Sequence, residues 1–452
     1  MMIPRIQRAC ACVFVVGASL GAADVGEIRS LVANRVETGR AAAIVVGIID
    51  EKGRQTIGGG RVSLDRTAAP DGDTLFEIGS VTKVFTSLVL ADMIEKGEVK
   101  PDDPVAKFLP KTITVPERNG RQITLMDLSM QVSGLPRLPG NMKPADPANP
   151  YADYDAPKLY DFLSHYTLTR DPGEKYEYSN LAVGLLGQAL ALRAGLSYEE
   201  LVRQRVLAPL EMNSTTITLS DSEKKRLAPG YDESLRPVKN WDLTALAGAG
   251  ALRSTANDLL KFLAANLELT DTPLKPAMRR MRSVRRQTGM PDVEIGMAWH
   301  IYTKFGGDIY WHNGGTAGYR SFVGFHPAKK EGVVVLCNTF MDNDDLGRHI
   351  LDNRYPAETF RKAIQVEPAT LERYVGEYEM SPSFKIVVTR EEGRLFIQAT
   401  AQPRVEVFPQ AETEFFLKVV AARITFVKDE SGKVTGLVLH QGGMDQKALK
   451  VR

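Results

Sequence analysis

The 452-residue sequence contains only three cysteines, and two of them, Cys10 and Cys12, lie close to the N-terminus. Removal of that N-terminal segment would leave Cys337 alone, and a single cysteine cannot form an internal disulfide. Cys337 ends the apolar run 333–337, where we expect a buried, unreactive thiol rather than a nucleophile. The fold therefore has to be stabilised by its hydrophobic core.

The sequence also lacks an excess of charge of either sign. Its 57 Lys and Arg residues are matched by 55 Asp and Glu residues, which gives a net charge of +2. The two signs are interspersed along the chain, so no basic patch indicates a nucleic acid or an anionic membrane surface as partner.

Several familiar signatures are missing as well. The run Gly58-Gly59-Gly60 lacks the lysine and the helix of a phosphate-binding loop. No Gly-x-Ser-x-Gly turn surrounds Ser80, which argues against an α/β-hydrolase. Five histidines show no metal-ligand spacing, and we interpret them as surface or core residues: His165, His300, His326, His349 and His440. The sequence predicts neither a metal nor a cofactor.

Long hydrophobic runs are absent, so no segment is predicted to cross a membrane. The first 22 residues nevertheless resemble a secretory signal. Arg5 and Arg8 precede a short, mostly apolar stretch, and the small residues that follow, around Ala22, suit cleavage. We therefore predict residues 1–22 to be a signal peptide and the mature protein to be exported, either periplasmic or secreted.

The rest of the chain has the composition of an ordinary globular protein, with 43% hydrophobic and 25% charged residues. Apolar runs predict a β-hairpin at 41–50 and 55–62, and an extended segment at 73–78 leads into an apolar helix at 84–94. Further helices are predicted at 156–166, 181–194, 256–269 and near 345–363, with strands at 308–312, 321–326 and 332–338. Terminal strands around a helical middle indicate one sheet built from both ends of the chain, with an inserted helical lobe.

The pattern changes at about residue 368. Short runs then recur roughly every ten residues with turns between them, which predicts an up-and-down β-barrel or sandwich. The predicted strands are 384–389, 394–400, 405–408, 414–420, 423–427, 434–440 and 448–451. Together these patterns predict an α+β protein with a signal peptide at 1–22, a catalytic domain at 23–365 and a small all-β barrel at 366–452.

The most informative stretch is Ser80-Val81-Thr82-Lys83, at the start of the predicted helix 84–94. Residues three apart share a helix face, so the Ser80 hydroxyl and the Lys83 amine can touch. A weak nucleophile beside a buried amine that can accept its proton is what serine acyl-transfer chemistry requires. Taken alone, the same residues also fit a helix N-cap followed by a surface lysine.

A second stretch, Tyr178-Ser179-Asn180, precedes another apolar helix. A phenol near a buried amine is expected to be drawn toward its phenolate and to exchange protons during acylation and deacylation. The Asn180 amide, two residues on in a non-helical loop, could orient the lysine or a substrate carbonyl. The alternative is a tyrosine followed by an N-cap asparagine.

A third stretch begins at Trp311 and runs into His312-Asn313-Gly314-Gly315 at the edge of a predicted strand. Glycines here allow the backbone to approach a ligand closely. The Gly315 N–H could form an oxyanion hole with the Ser80 N–H. The alternative is an ordinary loop between two strands, with His312 as a satisfied polar residue.

With these three stretches in this order, the chain resembles the class C β-lactamase superfamily of serine hydrolases. That superfamily includes D-alanyl-D-alanine peptidases and family VIII carboxylesterases, and its marks are Ser-x-x-Lys, Tyr-x-Asn and Lys/His-x-Gly. The phrase Ser133-Gly134-Leu135-Pro136 is also common in the group, and the resemblance covers roughly residues 30 to 365. The region that follows resembles small lipocalin-like barrels appended to such enzymes.

The resemblance implies a β-lactamase-like fold and specific roles for the matched residues. Ser80 would be the acylated nucleophile, Lys83 its proton acceptor or relay, and Tyr178 the general base, especially for deacylation. Asn180 would orient the substrate, and His312 and Gly314 belong to the third mark. The oxyanion hole would combine the backbone N–H groups of Ser80 and Gly315.

One departure concerns substrate choice. His312 stands where β-lactamases that favour anionic drugs carry lysine, and histidine is mostly neutral near pH 7. Arg320 could restore the charge, although an exposed strand arginine is the simpler expectation. The predicted function is a serine hydrolase acting on β-lactam or D-alanyl peptide amide bonds. The alternatives are a carboxylesterase on short acyl esters and a penicillin-binding receptor that does not turn over; the oligomeric state stays open.

Overall fold

The computed structural model describes residues 24–420 and 422–451. The predicted signal peptide at 1–22 lies outside these residues. Within them, no single helix is both long and apolar enough to span a membrane; Asn180–Ala194 and Tyr198–Leu207 meet that criterion only as a pair, bent by 79°. Most of the first helix of this pair is buried in the protein core.

The chain forms two compact units. The first unit comprises the described residues up to Leu31 together with Ala42–Glu358, and the second comprises Val32–Ala41 and the residues from Thr359 onward.

The helices of the two units, in chain order, are α1 Val25–Glu37, α2 Thr82–Glu95, α3 Leu125–Ser129, α4 Ala156–His165, α5 Asn180–Ala194, α6 Tyr198–Val202, α7 Asp221–Arg226, α8 Ala247–Gly250, α9 Ala256–Asn266, α10 Lys275–Ser283, α11 Asp344–Leu351 and α12 Pro368–Glu372. Short 3₁₀ turns lie at Gly79–Val81 and Val105–Phe108, and a π-helical turn at Arg203–Leu207.

The strands of the first unit are β1 Ala43–Asp50, β2 Gly53–Gly60, β3 Phe76–Glu77, β4 Glu117–Arg118, β5 Arg121–Gln122, β6 Arg253–Ser254, β7 Arg286–Gln287, β8 Val293–Ile295, β9 His300–Tyr302, β10 Ile309–Gly315, β11 Arg320–His326 and β12 Glu331–Cys337. The strands of the second unit are β13 Gly376–Ser381, β14 Phe384–Glu391, β15 Arg394–Ala399, β16 Val405–Pro409, β17 Glu414–Phe416, β18 Ala422–Lys428, β19 Val434–Gln441 and β20 Met444–Lys450.

The first unit is built on an antiparallel sheet of eight strands in the order β2-β1-β12-β11-β10-β9-β8-β7. The central pairing joins the two ends of this unit, because β1 lies against β12 with Ile44 opposite Cys337. Both strands are continuous, nearly fully buried runs of β-branched and aliphatic residues, as expected for a sheet covered by helices. The predicted α+β class and the sheet built from both chain ends are confirmed.

Helix α2 runs through the centre of this unit. Twelve of its fourteen residues are buried, which is the behaviour of a helix that is apolar on all sides. Helix α5 packs on the short helix α8 at a point where both backbones carry glycine. A Cβ at Gly187 would lie only 3.1 Å from the Cα of Gly248, so the close approach of α5 and α8 depends on the absent side chains.

The helices and strands differ from prediction in a few places. The helix expected near 345–363 ends at Leu351, where Asp352 takes an extended conformation. Pro356 further disfavours a helix through Tyr355. Only Phe76–Glu77 of the extended segment 73–78 forms a strand. The segment predicted as strand 414–420 ends its ladder at Phe416.

The second unit contains a closed antiparallel barrel of eight strands, β13 to β20. Seven of these strands were predicted; the eighth, β13, was not, because its sequence Gly-Glu-Tyr-Glu-Met-Ser has a single buried position at Tyr378. The barrel interior is filled by aromatic and aliphatic side chains. Tyr374 and Phe426 stack at the centre with ring centroids 4.2 Å apart.

Candidate active site

Ser80 lies in the 3₁₀ turn Gly79–Val81, immediately before α2. The Lys83 Nζ atom is 2.9 Å from Ser80 Oγ and donates a hydrogen bond of 2.6 Å to the carbonyl oxygen of Ala249 on α8. The predicted contact between the Ser80 hydroxyl and the Lys83 amine is therefore present. The Ala249 carbonyl, which holds the amine in place, was not identified from the sequence.

Lys83 is fully buried at the start of the central helix. Burial, assisted by the positive charge of Arg137, lowers the pKa of Lys83 well below its usual value, because removal from water disfavours the charged form. Within the described residues, no carboxylate forms an ion pair with the amine. The surroundings therefore favour an uncharged amine that can accept a proton.

Tyr178 lies beside this pair. The Lys83 Nζ atom is 4.9 Å from the centroid of the Tyr178 ring. Tyr178 is partly buried, in the loop just before Ser179, whose side chain caps α5 by accepting a hydrogen bond from the Ala182 N–H. Ser179 also donates a hydrogen bond of 2.6 Å to the Pro136 carbonyl, which ties the Tyr178 loop to the Ser133–Pro136 phrase.

The protonation of Tyr178 differs from expectation. Burial raises the pKa of Tyr178, and a hydrogen bond with the Ser80 side chain opposes the shift only in part. We expected Lys83 to draw the phenol toward its phenolate, and this was wrong. An uncharged amine exerts little attraction on a phenolate, so desolvation dominates.

Asn180 is the first residue of α5 rather than a residue of a non-helical loop, and the helix cap is Ser179. The Asn180 backbone N–H donates to the Arg137 carbonyl at 3.0 Å. The side-chain Oδ1 of Asn180 is buried and has no hydrogen-bond partner among the described residues. It lines the same cleft as Ser80, where an unpaired acceptor can bind a donor of the substrate.

The third predicted stretch forms the end of β10. Gly314 and Gly315 pair with Ser321 and Arg320 on β11, and the Ser321 hydroxyl donates a hydrogen bond of 2.8 Å to the Ile78 carbonyl. These contacts place the end of β10 against the Ser80 turn.

Gly79 is required at this junction. Its φ is +47°, and a Cβ there would lie 2.8 Å from the Gly315 nitrogen. Glycine therefore allows the backbones next to Ser80 and at Gly315 to come together, as an oxyanion hole formed by their N–H groups requires.

His312 is buried on the same strand. Its Nδ1 lies 2.6 Å from the Asn313 carbonyl oxygen, so the proton of a neutral ring is on Nδ1. Burial, together with the neighbouring His300 and Lys83, lowers the pKa of His312 well below its usual value. The imidazole is therefore neutral at physiological pH, as the departure from lysine led us to expect.

His300 is the main residue that the sequence analysis did not connect with the site. It lies on β9, buried, with its ring centroid 5.2 Å from His312 and 6.4 Å from Tyr178. The Tyr176 hydroxyl is 2.9 Å from His300 Nε2. Burial lowers the pKa of His300 to about 4, and Lys83 contributes. Nothing in the local sequence around His300 marks this position, which depends on the β9–β10 pairing.

Arg320 was expected to be exposed, and this was wrong. Its guanidinium carbon lies 3.7 Å from the centroid of the Phe340 ring, and the side chain is partly buried. Burial lowers the pKa of Arg320, while three carboxylates act in the opposite direction: Asp342, Asp344 and Glu233. The positive charge is thus largely balanced by acidic neighbours.

Asp344, one of these neighbours, accepts a hydrogen bond of 2.5 Å from the Asn313 side chain. Burial and the nearby Asp342 raise the pKa of Asp344 to about 7.

The open cleft at Ser80 encloses about 250 Å³ between protein atoms, including space open to solvent. Its walls come from the Ser80 turn, α5, α8 and the end of β10, and are lined by Gly79, Ser80, Tyr151, Asn180, Trp241, Leu243, Ala249, Gly250, Gly315 and Thr316. Tyr178 does not line this cleft and lies on the Lys83 side of Ser80. The cleft is largely aromatic and small-residue in character, which suits an uncharged acyl group.

Within the described part of the chain, no group of three or more His, Cys, Asp or Glu side chains is arranged to hold a metal ion. Cys337 is buried on β12.

Comparisons with known proteins agree with this geometry. Residues 28–354 match the family described as Beta-lactamase, and residues 360–451 match one described as a domain of unknown function, DUF3471. Penicillin-binding protein 4* of Bacillus subtilis (strain 168) is 26% identical over 416 residues, covering 84% of this chain and 88% of that protein.

Two further similarities concern named hydrolases. The D-alanyl-D-alanine-carboxypeptidase/endopeptidase AmpH of Escherichia coli (strain K12) is 28% identical over 310 residues, covering 66% of this chain and 79% of that protein. A crystal structure of a Beta-lactamase/D-alanine Carboxypeptidase from Yersinia pestis has 25% identity and a TM-score of 0.63, covering 73% of this chain and 98% of that one. Since the family match spans most of the chain, the protein belongs to the Beta-lactamase family and is a serine hydrolase.

Proposed function

We propose that the protein is an exported hydrolase that cleaves β-lactam or D-alanyl peptide amide bonds through an acyl-enzyme on Ser80. The observation that carries this proposal is the 2.9 Å contact between Ser80 Oγ and a fully buried Lys83 amine that the Ala249 carbonyl holds in place. The names of the related proteins, a penicillin-binding protein and a D-alanyl-D-alanine carboxypeptidase, support the substrate class.

In the proposed acylation, Ser80 Oγ attacks the carbonyl carbon while its proton passes to the Lys83 amine. The N–H groups of Ser80 and Gly315 stabilise the tetrahedral oxyanion. Collapse of this intermediate breaks the amide bond. Tyr178 then gives its phenolic proton to the leaving nitrogen and recovers a proton from Lys83.

In the proposed deacylation, water attacks the ester on Ser80. Tyr178 accepts the water proton as its own proton moves to Lys83, and Ser80 is released with a proton from this relay. The protonated phenol in the resting site is consistent with this order, because Tyr178 becomes a base only when Lys83 can take its proton.

Three further residues have positioning roles in this proposal. Asn180, with its unpaired Oδ1 in the cleft, receives an N–H of the substrate. Gly314 allows β10 to approach the Ile78 backbone, since a Cβ there would overlap the Ile78 carbonyl. His312 packs beneath Tyr178 with ring centroids 6.2 Å apart and fixes the orientation of the phenol.

The proposed organisation assigns catalysis to residues 23–365 and an accessory role to the barrel at 366–452. Export would depend on residues 1–22, whose basic start and small residues are typical of a signal peptide. Expression of the full chain in a Gram-negative host, followed by fractionation and N-terminal sequencing, tests this. Protein that stays in the cytoplasm with residue 1 intact would contradict it.

The hydrolase proposal is tested with nitrocefin and with a peptide ending in D-alanyl-D-alanine, in the wild type and in Ser80→Ala. We expect turnover of at least one substrate by the wild type and its loss in Ser80→Ala, without a change in the circular-dichroism spectrum. A Ser80→Ala enzyme that retains wild-type turnover would overturn the assignment of the nucleophile.

A carboxylesterase is the second candidate, and the neutral, buried His312 favours it. Without a fixed cation at this position, a neutral ester loses nothing relative to an anionic β-lactam. The comparison is p-nitrophenyl butyrate against nitrocefin in wild type and in His312→Lys. If the esterase interpretation is correct, the wild type prefers the ester and His312→Lys shifts the kcat/KM ratio toward nitrocefin. A wild-type preference for nitrocefin would reject it.

A further inference from the structure

Arg137 carries a positively charged side chain at the Ser80 site and takes no part in the proposed acylation and deacylation steps. It directly follows the Ser133–Pro136 phrase and is exposed. Its guanidinium carbon lies 5.1 Å from the centroid of the Tyr178 ring. Its charge influences the pKa values of Lys83, Tyr176 and Tyr178, and also that of the cleft residue Tyr151. The guanidinium therefore lies over the Tyr178 ring, close enough to influence Lys83 and Tyr151 electrostatically.

The backbone of Arg137 is fixed in this place. Its carbonyl oxygen accepts hydrogen bonds from the backbone N–H groups of Asn180 at 3.0 Å and Leu181 at 3.3 Å, at the start of α5. Tyr178 and Asn180 lie at the same helix start, so these hydrogen bonds connect the Arg137 backbone directly to that part of the site. Because the Arg137 backbone is fixed, less conformational entropy is lost when a ligand binds to its side chain.

The other cations at the site are already balanced or neutral. Lys83 is buried with a lowered pKa. Arg253 is paired with Glu77 and Asp242, and the charge of Arg320 is favoured by three nearby carboxylates. By contrast, no carboxylate of the described chain forms an ion pair or hydrogen bond with the Arg137 side chain. An exposed guanidinium without a partner beside a reactive site is suited to bidentate binding of a carboxylate.

The direction of the reaction determines which part of the substrate meets Arg137. In the proposed reaction the acyl group occupies the cleft at Ser80, whose lining includes Tyr151, Trp241 and Leu243. The leaving group receives its proton from the Lys83–Tyr178 side of Ser80, because a general acid has to be within hydrogen-bond reach of the atom it protonates. The leaving group thus lies close to Tyr178 and so to the guanidinium over its ring.

We infer that Arg137 binds a carboxylate carried by the leaving-group portion of the substrate and so replaces the positive charge that His312 does not provide. This inference rests on the proposed function and gives it a substrate class: acyl compounds whose leaving group is anionic. A neutral ester would be accepted through the cleft alone and would gain nothing from Arg137.

The kinetic test uses three aryl esters that carry a charge on the leaving group, no charge, or a charge on the acyl group. They are 3-carboxyphenyl acetate, its neutral methyl ester, and monophenyl succinate, which carries the charge on the acyl side. Each is measured with the wild type, Arg137→Gln and Arg137→Lys. Arg54→Gln is the matched control, because Arg54 is exposed on the edge strand β2, with three strands between it and β10.

We expect Arg137→Gln to lower the kcat/KM ratio of 3-carboxyphenyl acetate over its methyl ester roughly tenfold, mainly through KM. Arg137→Lys restores part of this ratio, and Arg54→Gln leaves it unchanged. An equal loss on both esters would overturn the inference and show that Arg137 only supports Tyr178. A response confined to monophenyl succinate would also overturn it, by placing the charge on the acyl side.

A binding measurement separates this inference from the hydrolase proposal. Calorimetry in the Ser80→Ala background compares benzylpenicillin with its methyl ester, with and without Arg137→Gln. We expect preference for the carboxylate form and its loss with Arg137→Gln. Absence of any preference overturns the role of Arg137 even if hydrolysis is observed, whereas a preference without hydrolysis overturns only the catalytic proposal.

Discussion

Burial is the largest influence on the protonation of Lys83 and Tyr178. It lowers the pKa of the amine and raises the pKa of the phenol, so it favours the uncharged form of both side chains. An uncharged amine can accept a proton at once, whereas a phenol has first to lose its own. Lys83 is therefore expected to act before Tyr178 when Ser80 attacks.

Replacing Lys83 by methionine tests this order. Lys83→Met keeps the length of the side chain in the core but removes the acceptor, so we expect kcat/KM to fall by about 10²–10⁴-fold. Ser87→Ala is the control, because Ser87 is buried on the same helix and contacts Ser129 rather than Ser80. Steady-state kinetics at pH 7 test whether Lys83 is the first acceptor of the Ser80 proton. Retention of more than a tenth of wild-type activity in Lys83→Met would exclude it.

Tyr178→Phe removes the phenol and leaves Lys83 in place. Lys83, protonated during the attack, then has to protonate the leaving nitrogen itself, so acylation continues more slowly. Deacylation lacks its base altogether, so we expect the acyl-enzyme to accumulate. Intact-protein mass spectrometry after exposure to benzylpenicillin should show a persistent adduct on Ser80. Tyr176→Phe serves as control, since Tyr176 contacts His300 instead. Adduct loss at the wild-type rate in Tyr178→Phe would contradict the proposed role.

At the residue scale, the sequence predicted the side chains that lie in short motifs and missed those that reach the site from elsewhere. Ser80 and Lys83 are one helical turn apart, so their contact follows from local geometry. His300 and the Ala249 carbonyl come from β9 and α8 and meet Lys83 or Tyr178 only through tertiary packing. The interpretation of Arg320 failed for the same reason, because Phe340 and the acidic residues that cover it are not its sequence neighbours.

At the scale of elements, β9 and β10 place two neutral imidazoles behind Tyr178. His300 and His312 belong to adjacent antiparallel strands and face Lys83 and Tyr178. Lys83 contributes to the lowered pKa of His300, and His300 and Lys83 contribute to the lowered pKa of His312. Protonation of either ring would introduce a buried charge beside the amine.

The pH dependence of stability follows from this arrangement. The pKa of His300 is about 4 in the folded protein and about 6.5 when unfolded, so the unfolded state binds a proton first as the pH falls. The His300 contribution to stability is therefore complete above pH 6.5 and is lost between pH 6.5 and 4. Between pH 7 and 4.5 the loss is roughly 2 kcal/mol.

Chemical denaturation of the wild type and of His300→Gln at the two pH values measures this contribution. We expect the wild type to lose roughly 2 kcal/mol more than the variant on going from pH 7 to 4.5. His165→Gln is the control, because His165 is exposed on α4. Equal pH dependence in the wild type and in His300→Gln would mean that His300 is not held neutral by the fold.

Elements with a long apolar run or a clear apolar face were predicted well, and those fixed by tertiary contacts were not. Helices α2, α4, α5 and α9 and strands β10 to β12 were all predicted close to their observed bounds. Strand β13 was missed because its outer face is polar and its inner face offers one buried side chain, Tyr378. It is recognisable only by its pairing with β14 and β20.

At the scale of the whole molecule, the two units have separate hydrophobic cores. All residues proposed for catalysis lie in the first unit, whereas the barrel core centres on Tyr374, Phe415 and Phe426. Ring centroids of these three residues lie between 4.2 and 5.6 Å apart. Removing one ring leaves a cavity that its neighbours cannot fill.

Phe426→Ala should therefore destabilise the barrel by about 3–5 kcal/mol. We expect calorimetry to show barrel unfolding at a lower temperature, while kcat/KM per folded molecule at 25 °C stays within about twofold of the wild type. Phe85→Ala, in the first core beside Phe262, is the contrast and should lower both stability and activity. A large loss of kcat/KM in Phe426→Ala, with the barrel still folded, would assign the barrel a part in catalysis.

The architecture of the whole chain was predictable because each region has its own pattern. Apolar strands at both ends of the first unit indicated a shared sheet, and short runs at ten-residue spacing indicated a barrel. The pairing that closes the barrel was not identified, because it joins β20 to the unpredicted strand β13 across about seventy residues.

The pairing of β1 with β12 has a consequence for how the protein matures. Ile44 and Cys337 are neighbours in the sheet, yet nearly the entire first unit is synthesised between them. Such non-local contacts form late in folding. Strand β10, which carries Gly315, precedes β12 in the chain. In the sheet, β10 is connected to β12 through β11. A chain that is still being synthesised thus contains Ser80 long before it contains the strands that complete the site. We therefore expect the enzyme to be inactive until β12 has joined the sheet.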